Sequence, residues 1–150
     1  MVMRVEQNNL FYNTKGYSYA QCISADFAMG AGIALEFNSR FNMRDELVYY
    51  YGSVVDTWDY SREGFCIFER PVYNLVTKRN HWDKPTYQSL SNALLDMHEM
   101  IKYQRRYSTN KLAIPKLGCG LDGLDWNVVS QIITDMFSDC ENLEILVRYL

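Results

Sequence analysis

Twice along this chain an apolar, strand-like run gives way to glycines and then to a helical pattern. Met29-Gly30-Ala31-Gly32-Ile33-Ala34 comes shortly after the run at 17–24, and Leu117-Gly118-Cys119-Gly120-Leu121-Asp122 comes after the run at 111–115. Glycine loses more backbone freedom on folding than any other residue, so such clusters persist where a chain turns sharply or approaches something closely. Strands that pass into helices in this way build a mostly parallel or mixed sheet covered on both faces. Ligands in that architecture bind beyond the carboxyl ends of the strands. Both glycine segments fall there, and this placement is the first functional clue.

The rest of the pattern agrees with an α/β fold. Val-Met-Arg-Val-Glu at 2–6 reads as a strand, and Ile33, Leu35, Phe37, Phe41, Leu47 and Tyr50 read as one helical stretch. Three β-rich runs follow at 54–58, 65–68 and 72–76. Leu90, Leu94, Met97 and Ile101 recur at helical spacing and predict a long amphipathic helix from about Thr86 to Arg106, with Pro85 at its start. A short buried strand at 111–115, a last helix carrying Val128, Val129, Ile132, Ile133, Met136 and Phe137, and a closing strand at 143–150 complete the reading. No repeat, low-complexity tract or linker interrupts it, so residues 1–150 are read as one domain.

Composition removes several classes of function. A net charge of −3 argues against a broad surface tracking nucleic-acid phosphates, although Lys78, Arg79 and Lys84 form a local basic group. The cysteines at 22, 66, 119 and 140 contain no C-x-x-C pair, and the opening residues lack a signal-peptide core. Reduced thiols in a cytoplasmic or nuclear compartment, a monomer and no membrane span are the corresponding expectations. Two histidines without metal-ligand spacing, and no G-x-S-x-G elbow, speak against metal-dependent or serine hydrolysis.

Local physics separates the candidate residues. Gly30 and Gly32 precede a helix, where backbone N–H groups approach a phosphate and the helix N-terminus favours its charge. The segment is neither a dinucleotide fingerprint nor a Walker A loop. The segment around Gly118 and Gly120 is more glycine-dense than a turn requires, and two such loops can flank a diphosphate from opposite sides. Asp125 directly precedes the last helix and suits its N-cap. Spacing alone leaves Asp122 an ordinary solvated turn aspartate. Lys78, at the end of an apolar strand, either neutralises an anion, attacks an electrophilic carbon if burial lowers its pKa, or is simply solvated.

Taken together these segments resemble a macrodomain, most closely the branch of the terminal ADP-ribose protein glycohydrolase. The resemblance runs from about Val5 onward. It rests on Cys22-Ile23-Ser24-Ala25-Asp26 with Met29 to Ala34, on Leu75-Val76-Thr77-Lys78 leading to Lys84-Pro85-Thr86-Tyr87, and on Pro115 to Asp122. It implies a three-layer α/β/α sandwich with a mixed, roughly six-stranded sheet and a pocket for ADP-ribose. Asn9, Leu10, Ser24, Met29, Gly30, Ala31, Gly32 and Ile33 would contact the ligand from one side. Pro115, Leu117, Gly118, Cys119, Gly120, Leu121 and Arg148 would contact it from the other. Lys78 would attack the anomeric carbon of the distal ribose and Asp122 would act as acid/base, removing mono-ADP-ribose from acidic side chains and deacylating O-acetyl-ADP-ribose. The resemblance also admits a non-catalytic ADP-ribose reader or an ADP-ribose 1″-phosphate phosphatase. It implies no cofactor or metal. The implied partners are ADP-ribose and mono-ADP-ribosylated proteins, without direct nucleic-acid binding.

Two positions depart from the family pattern. Asn9 stands where the family usually has an aspartate that accepts from the adenine amino group; an amide oxygen still accepts, without charge. Arg148, beside Tyr149, stands where the family often stacks an aromatic ring near adenine, and a guanidinium plane can substitute for one.

Overall fold

Period-two alternation in the strands sorts their side chains onto two faces of one sheet in the computed structural model, which describes residues 1–150. The strands are β1 (Val2–Gln7), β2 (Ser18–Ser24), β3 (Phe65–Glu69), β4 (Val72–Lys78), β5 (Lys111–Ile114) and β6 (Glu144–Tyr149), in the spatial order β1-β6-β5-β2-β4-β3. Every pairing is parallel except the β3–β4 hairpin. The carboxyl ends of β1, β6, β5, β2 and β4 therefore share one rim of the sheet.

Tyr73, Leu75, Ala20, Leu112, Ile114, Ile145 and Val147 face one core, which α3 (Tyr87–Tyr103) and α4 (Trp126–Phe137) cover with Leu90, Leu94, Met97, Val129, Ile133 and Phe137. Their strand neighbours Val72, Val76, Tyr19, Ile23, Ala113 and Leu146 face the other core, under α1 (Gly32–Phe41) and α2 (Met43–Tyr51). Each fully buried Leu or Phe contributes roughly 1.5–3 kcal/mol of transfer free energy. Gln21 and Asn74 lie wholly inside, on the adjacent strands β2 and β4, and pair through Gln21 Nε2 to Asn74 Oδ1 at 2.9 Å.

Three sequence expectations need correction. The helical stretch after Gly32 is two helices, broken at Asn42, whose φ of +51° is a left-handed conformation that asparagine tolerates better than most residues. The β-rich run at 54–58 is a short 3₁₀ turn, closed by the Thr57 N–H on the Val54 carbonyl, and only its Trp58 is buried. Helix α3 stops at Tyr103 rather than Arg106, because Gln104 leaves helical backbone and a second 3₁₀ turn follows. Its start is as read: Thr86 is the N-cap, in a reciprocal capping box with Ser89.

Candidate active site

Parallel pairing collects the candidate residues on one rim. Lys78 ends β4, Ser24 ends β2, Pro115 follows β5, Asn9 follows β1, and Arg148 is the next-to-last residue of β6. The loop from β5 crosses to β4. Lys78 Nζ donates to Asp122 Oδ1 at 2.8 Å, and the two side chains are only 14% and 16% exposed. A second lysine braces the same loop, with Lys84 Nζ donating to the Leu121 carbonyl at 2.6 Å. The Leu121 side chain reaches the opposite loop, its Cδ1 lying 3.5 Å from where a Cβ on Gly32 would stand. The two glycine segments thus meet over the strand ends.

The β2–α1 loop carries local strain. Phe27 and Met29 both adopt left-handed backbone, with φ of +56° and +47°, and Gly32 follows at +60°. Such residues cost on the order of 1–3 kcal/mol each and persist only where their surroundings fix them. Here the Phe27 and Met29 side chains are buried in the α1/α2 core, and that burial offsets the strain. The backbone N–H groups of Met29, Gly30 and Ala31 make no hydrogen bond within the protein. Ala31, at the N-cap of α1, gives no side-chain cap, and no acidic residue occupies the first turn. An uncapped helix start behind N–H groups without protein partners is a seat for a negatively charged group.

Asp26 fixes this loop to the one after β4, a role the sequence reading missed. Its Oδ1 accepts from Ser24 Oγ at 2.5 Å and from the Ala28 N–H at 3.1 Å. Its Oδ2 accepts from the His81 N–H at 2.9 Å and lies 2.8 Å from His81 Nδ1. Burial alone would raise the Asp26 pKa, but these hydrogen bonds outweigh it and hold the carboxyl below its ordinary value. The quoted Cys22–Asp26 segment contained the signal, but His81, its partner, lies 55 residues away in sequence.

The remaining candidates divide by burial. Leu10, Met29 and Leu117 are core residues, almost wholly buried. Ser24 is buried and committed to Asp26. Ile33 is half-buried against the α1/α2 core, and Pro115 and Gly118 are half-buried, while Gly30, Ala31, Gly32, Gly120 and Leu121 are exposed. Cys119 Sγ donates to the Leu117 carbonyl at 3.2 Å, and burial pushes its thiol up to about 11. Burial also raises the Cys22 thiol strongly, with the Asp122 charge adding to it. Neither cysteine is set up as a thiolate nucleophile. Asp125 caps α4 through the Asn127 N–H at 2.8 Å.

The two departures settle differently. Asn9 is exposed, and its Oδ1 accepts from the Phe11 N–H at 2.8 Å. Arg148 is 8% exposed; its guanidinium donates to Glu6 Oε1 at 2.8 Å, to the Asn9 carbonyl at 2.9 Å and to the Tyr12 carbonyl. Arg148 is therefore a buried brace for the β1–β2 loop. Tyr149 offers a ring at that end, and Lys116 Nζ lies 3.9 Å from its centroid.

The architecture is that of a macrodomain. The macrodomain of Thermus aquaticus DarG superposes with a TM-score of 0.78 at 22% identity, covering 99% of both chains. The structure of Thermosipho africanus DarTG in complex with ADP-ribose superposes with a TM-score of 0.72 at 16% identity, covering 99% of this chain and 42% of that one. No protein-family model matches the chain. The human protein named ADP-ribose glycohydrolase OARD1 is 35% identical over 144 residues, covering 96% of this chain and 89% of the relative. The chain belongs to the macrodomain family, in its terminal ADP-ribose protein glycohydrolase branch.

Proposed function

We propose that this protein is an ADP-ribose glycohydrolase that releases mono-ADP-ribose from acidic side chains of proteins, with Lys78 as nucleophile and Asp122 as its proton partner. The observation that carries the reading is the shielded Lys78–Asp122 pair, 2.8 Å apart, beside a loop of free backbone N–H groups. The similarity to the human ADP-ribose glycohydrolase supports the reaction class. The diphosphate of ADP-ribose rests on the N–H groups of Met29 to Ala31, which places the distal ribose toward Lys78.

Asp122 accepts a proton from the Lys78 ammonium, freeing the nitrogen lone pair. That nitrogen attacks the anomeric carbon while the bond from this carbon to the ester oxygen breaks, and both bonding electrons leave with the side-chain carboxylate. A carboxylate is stable at neutral pH, so it departs without protonation or a metal. Water then displaces the lysine nitrogen, its oxygen bonding to the anomeric carbon as the carbon–nitrogen bond breaks, and its spare proton passes to solvent. Lys78 leaves as the amine and recovers its proton from Asp122, and ADP-ribose is released. O-acetyl-ADP-ribose presents the same carboxylate leaving group and fits the same pocket.

The test is incubation with a transferase automodified on glutamate. Wild-type protein releases ADP-ribose, whereas Lys78→Ala and Asp122→Ala lose at least about 10²-fold in rate, and Lys78→Ala still binds ADP-ribose by calorimetry. Full activity in Lys78→Ala overturns the covalent mechanism. Tight ADP-ribose binding by the wild type without any release makes the protein a reader instead.

A further inference from the structure

The opposite rim of the sheet, where β2 and β4 begin, holds a second cleft that the reaction does not use. It has a volume of about 410 Å³, a size that encloses small-molecule ligands. Lys15, Arg70 and Arg106 line it, and no aspartate or glutamate does. All three cations are exposed, and none makes a salt bridge or a hydrogen bond within the protein. Arg106 lies 5.7 Å from the Tyr107 ring centroid, and in a chain of net charge −3 the three form a local concentration of positive charge without an anionic partner.

The other walls narrow the ligand class. Half-buried rings of Tyr17 and Phe68 flank the cleft, and the Lys111 ammonium lies 5.6 Å from the Tyr17 ring centroid. The Ser18 hydroxyl lines it too and has no partner in the protein. A neighbouring cavity of about 440 Å³ shares Thr14, Lys15, Tyr19 and Phe41 with the first; its own cation, Arg40, is paired with Glu36 at 3.3 Å. Unpaired cations beside aromatic faces suit a ligand that carries both a phosphate and a planar ring. Strand β2 is seven residues long, so this cleft stands about 20 Å from the Lys78–Asp122 rim. One nucleotide cannot occupy both.

We propose that this cleft is a second anion site that takes a nucleotide, with Lys15, Arg70 and Arg106 on the phosphate and Tyr17 and Phe68 against the base. The nucleotide is either free or one unit of a single strand, and the proposal stands independently of the reaction assigned to the other rim. The probes are adenosine 5′-monophosphate and a fluorescein-labelled oligothymidylate, titrated at low salt into wild type, Lys78→Ala and the double variant Arg70→Glu/Arg106→Glu, each with and without excess ADP-ribose. Binding by wild type and by Lys78→Ala, undiminished by ADP-ribose and at least about tenfold weaker in the double variant, is expected. The salt dependence of oligonucleotide binding falls by about one unit per cation removed. Both substituted residues are exposed, so an unchanged melting temperature shows that the double variant is folded. Equal affinity for the two probes assigns the site to a free nucleotide, and a clear preference for the oligonucleotide assigns it to a strand. Wild-type affinity in the double variant, displacement by ADP-ribose, or no binding of either probe overturns the proposal.

Discussion

The β2–α1 and β5–α4 loops meet over the same strand ends but are held by different means. The first places two non-glycine residues, Phe27 and Met29, in left-handed backbone and keeps them there through buried side chains. The second fills its left-handed positions with Gly118 and Gly123, and bonds to itself through Cys119 N–H to the Lys116 carbonyl and Leu124 N–H to the Gly118 carbonyl. The first leads into a helix with no side-chain cap; the second leads into a helix capped by Asp125. The first loop is thus a seat fixed by the hydrophobic core, open toward a negative charge. The second is a self-bonded flap, fastened to the site by Lys78 and Lys84.

Removing the anchor of the first loop is the harshest way to break this contrast. Phe27→Ala vacates a fully buried ring and should cost about 3–5 kcal/mol in denaturant unfolding. If the seat depends on that anchor, ADP-ribose affinity falls further than the unfolded fraction explains. Unchanged affinity in the folded fraction would show that the loop holds its own shape. Next in size is a pair of substitutions in the flap. Gly118→Ala meets both a φ of +72° and a Leu124 Cδ1 only 2.9 Å from the new Cβ, and should cost about 2 kcal/mol. Gly120→Ala meets nothing within 4 Å and no left-handed strain, so stability should shift by less than about 0.5 kcal/mol. Loss of ADP-ribose binding in Gly120→Ala at unchanged stability would mark Gly120 as a residue kept for the ligand.

Smaller effects probe the two helix starts. Asp125→Ala should destabilise by about 1 kcal/mol through loss of the α4 cap. Ala31→Asp supplies the missing cap to α1 and should raise stability by about 0.5–1 kcal/mol while weakening ADP-ribose binding, because the new carboxylate sits where the diphosphate belongs. Tighter binding in that variant would remove the helix start from the site. The smallest effect is chemical. With its pKa pushed up to about 11 by burial, Cys119 stays a thiol at pH 7.5 and should react with iodoacetamide more slowly in the folded than in the unfolded chain. The folded state holds this proton more tightly, so the contribution is complete below the unfolded value of about 8.5 and declines as pH rises toward 11.

Much of this is legible in the sequence. The strands and helices follow from apolar periodicity, and Thr86 and Asp125 announce their helices through side chains that bond within three residues. Where the signal was local and strong, as in α3, only the last turn was misplaced. Runs with weaker signals failed: Val54 to Trp58 is β-branched and aromatic but has no strand to pair with, and Asn42 breaks a helix that the apolar spacing carried straight through. The bracing by Arg148 was hidden for another reason. Its three acceptors lie at Glu6, Asn9 and Tyr12, at the far end of the chain, and no spacing near residue 148 reveals them.

By itself the sequence determined the layers, both glycine loops and their positions at strand ends, because backbone preference and side-chain periodicity act over a few residues. Family resemblance added the pairing of Lys78 with Asp122, which spacing could not supply. Only the tertiary structure decided that Asp26 and His81 latch two loops together, that Arg148 is a brace, and that three unpaired cations gather on the opposite rim. Each of these depends on parallel strands bringing together residues that are remote along the chain, and a charge or hydrogen bond responds to distance in space rather than distance in sequence.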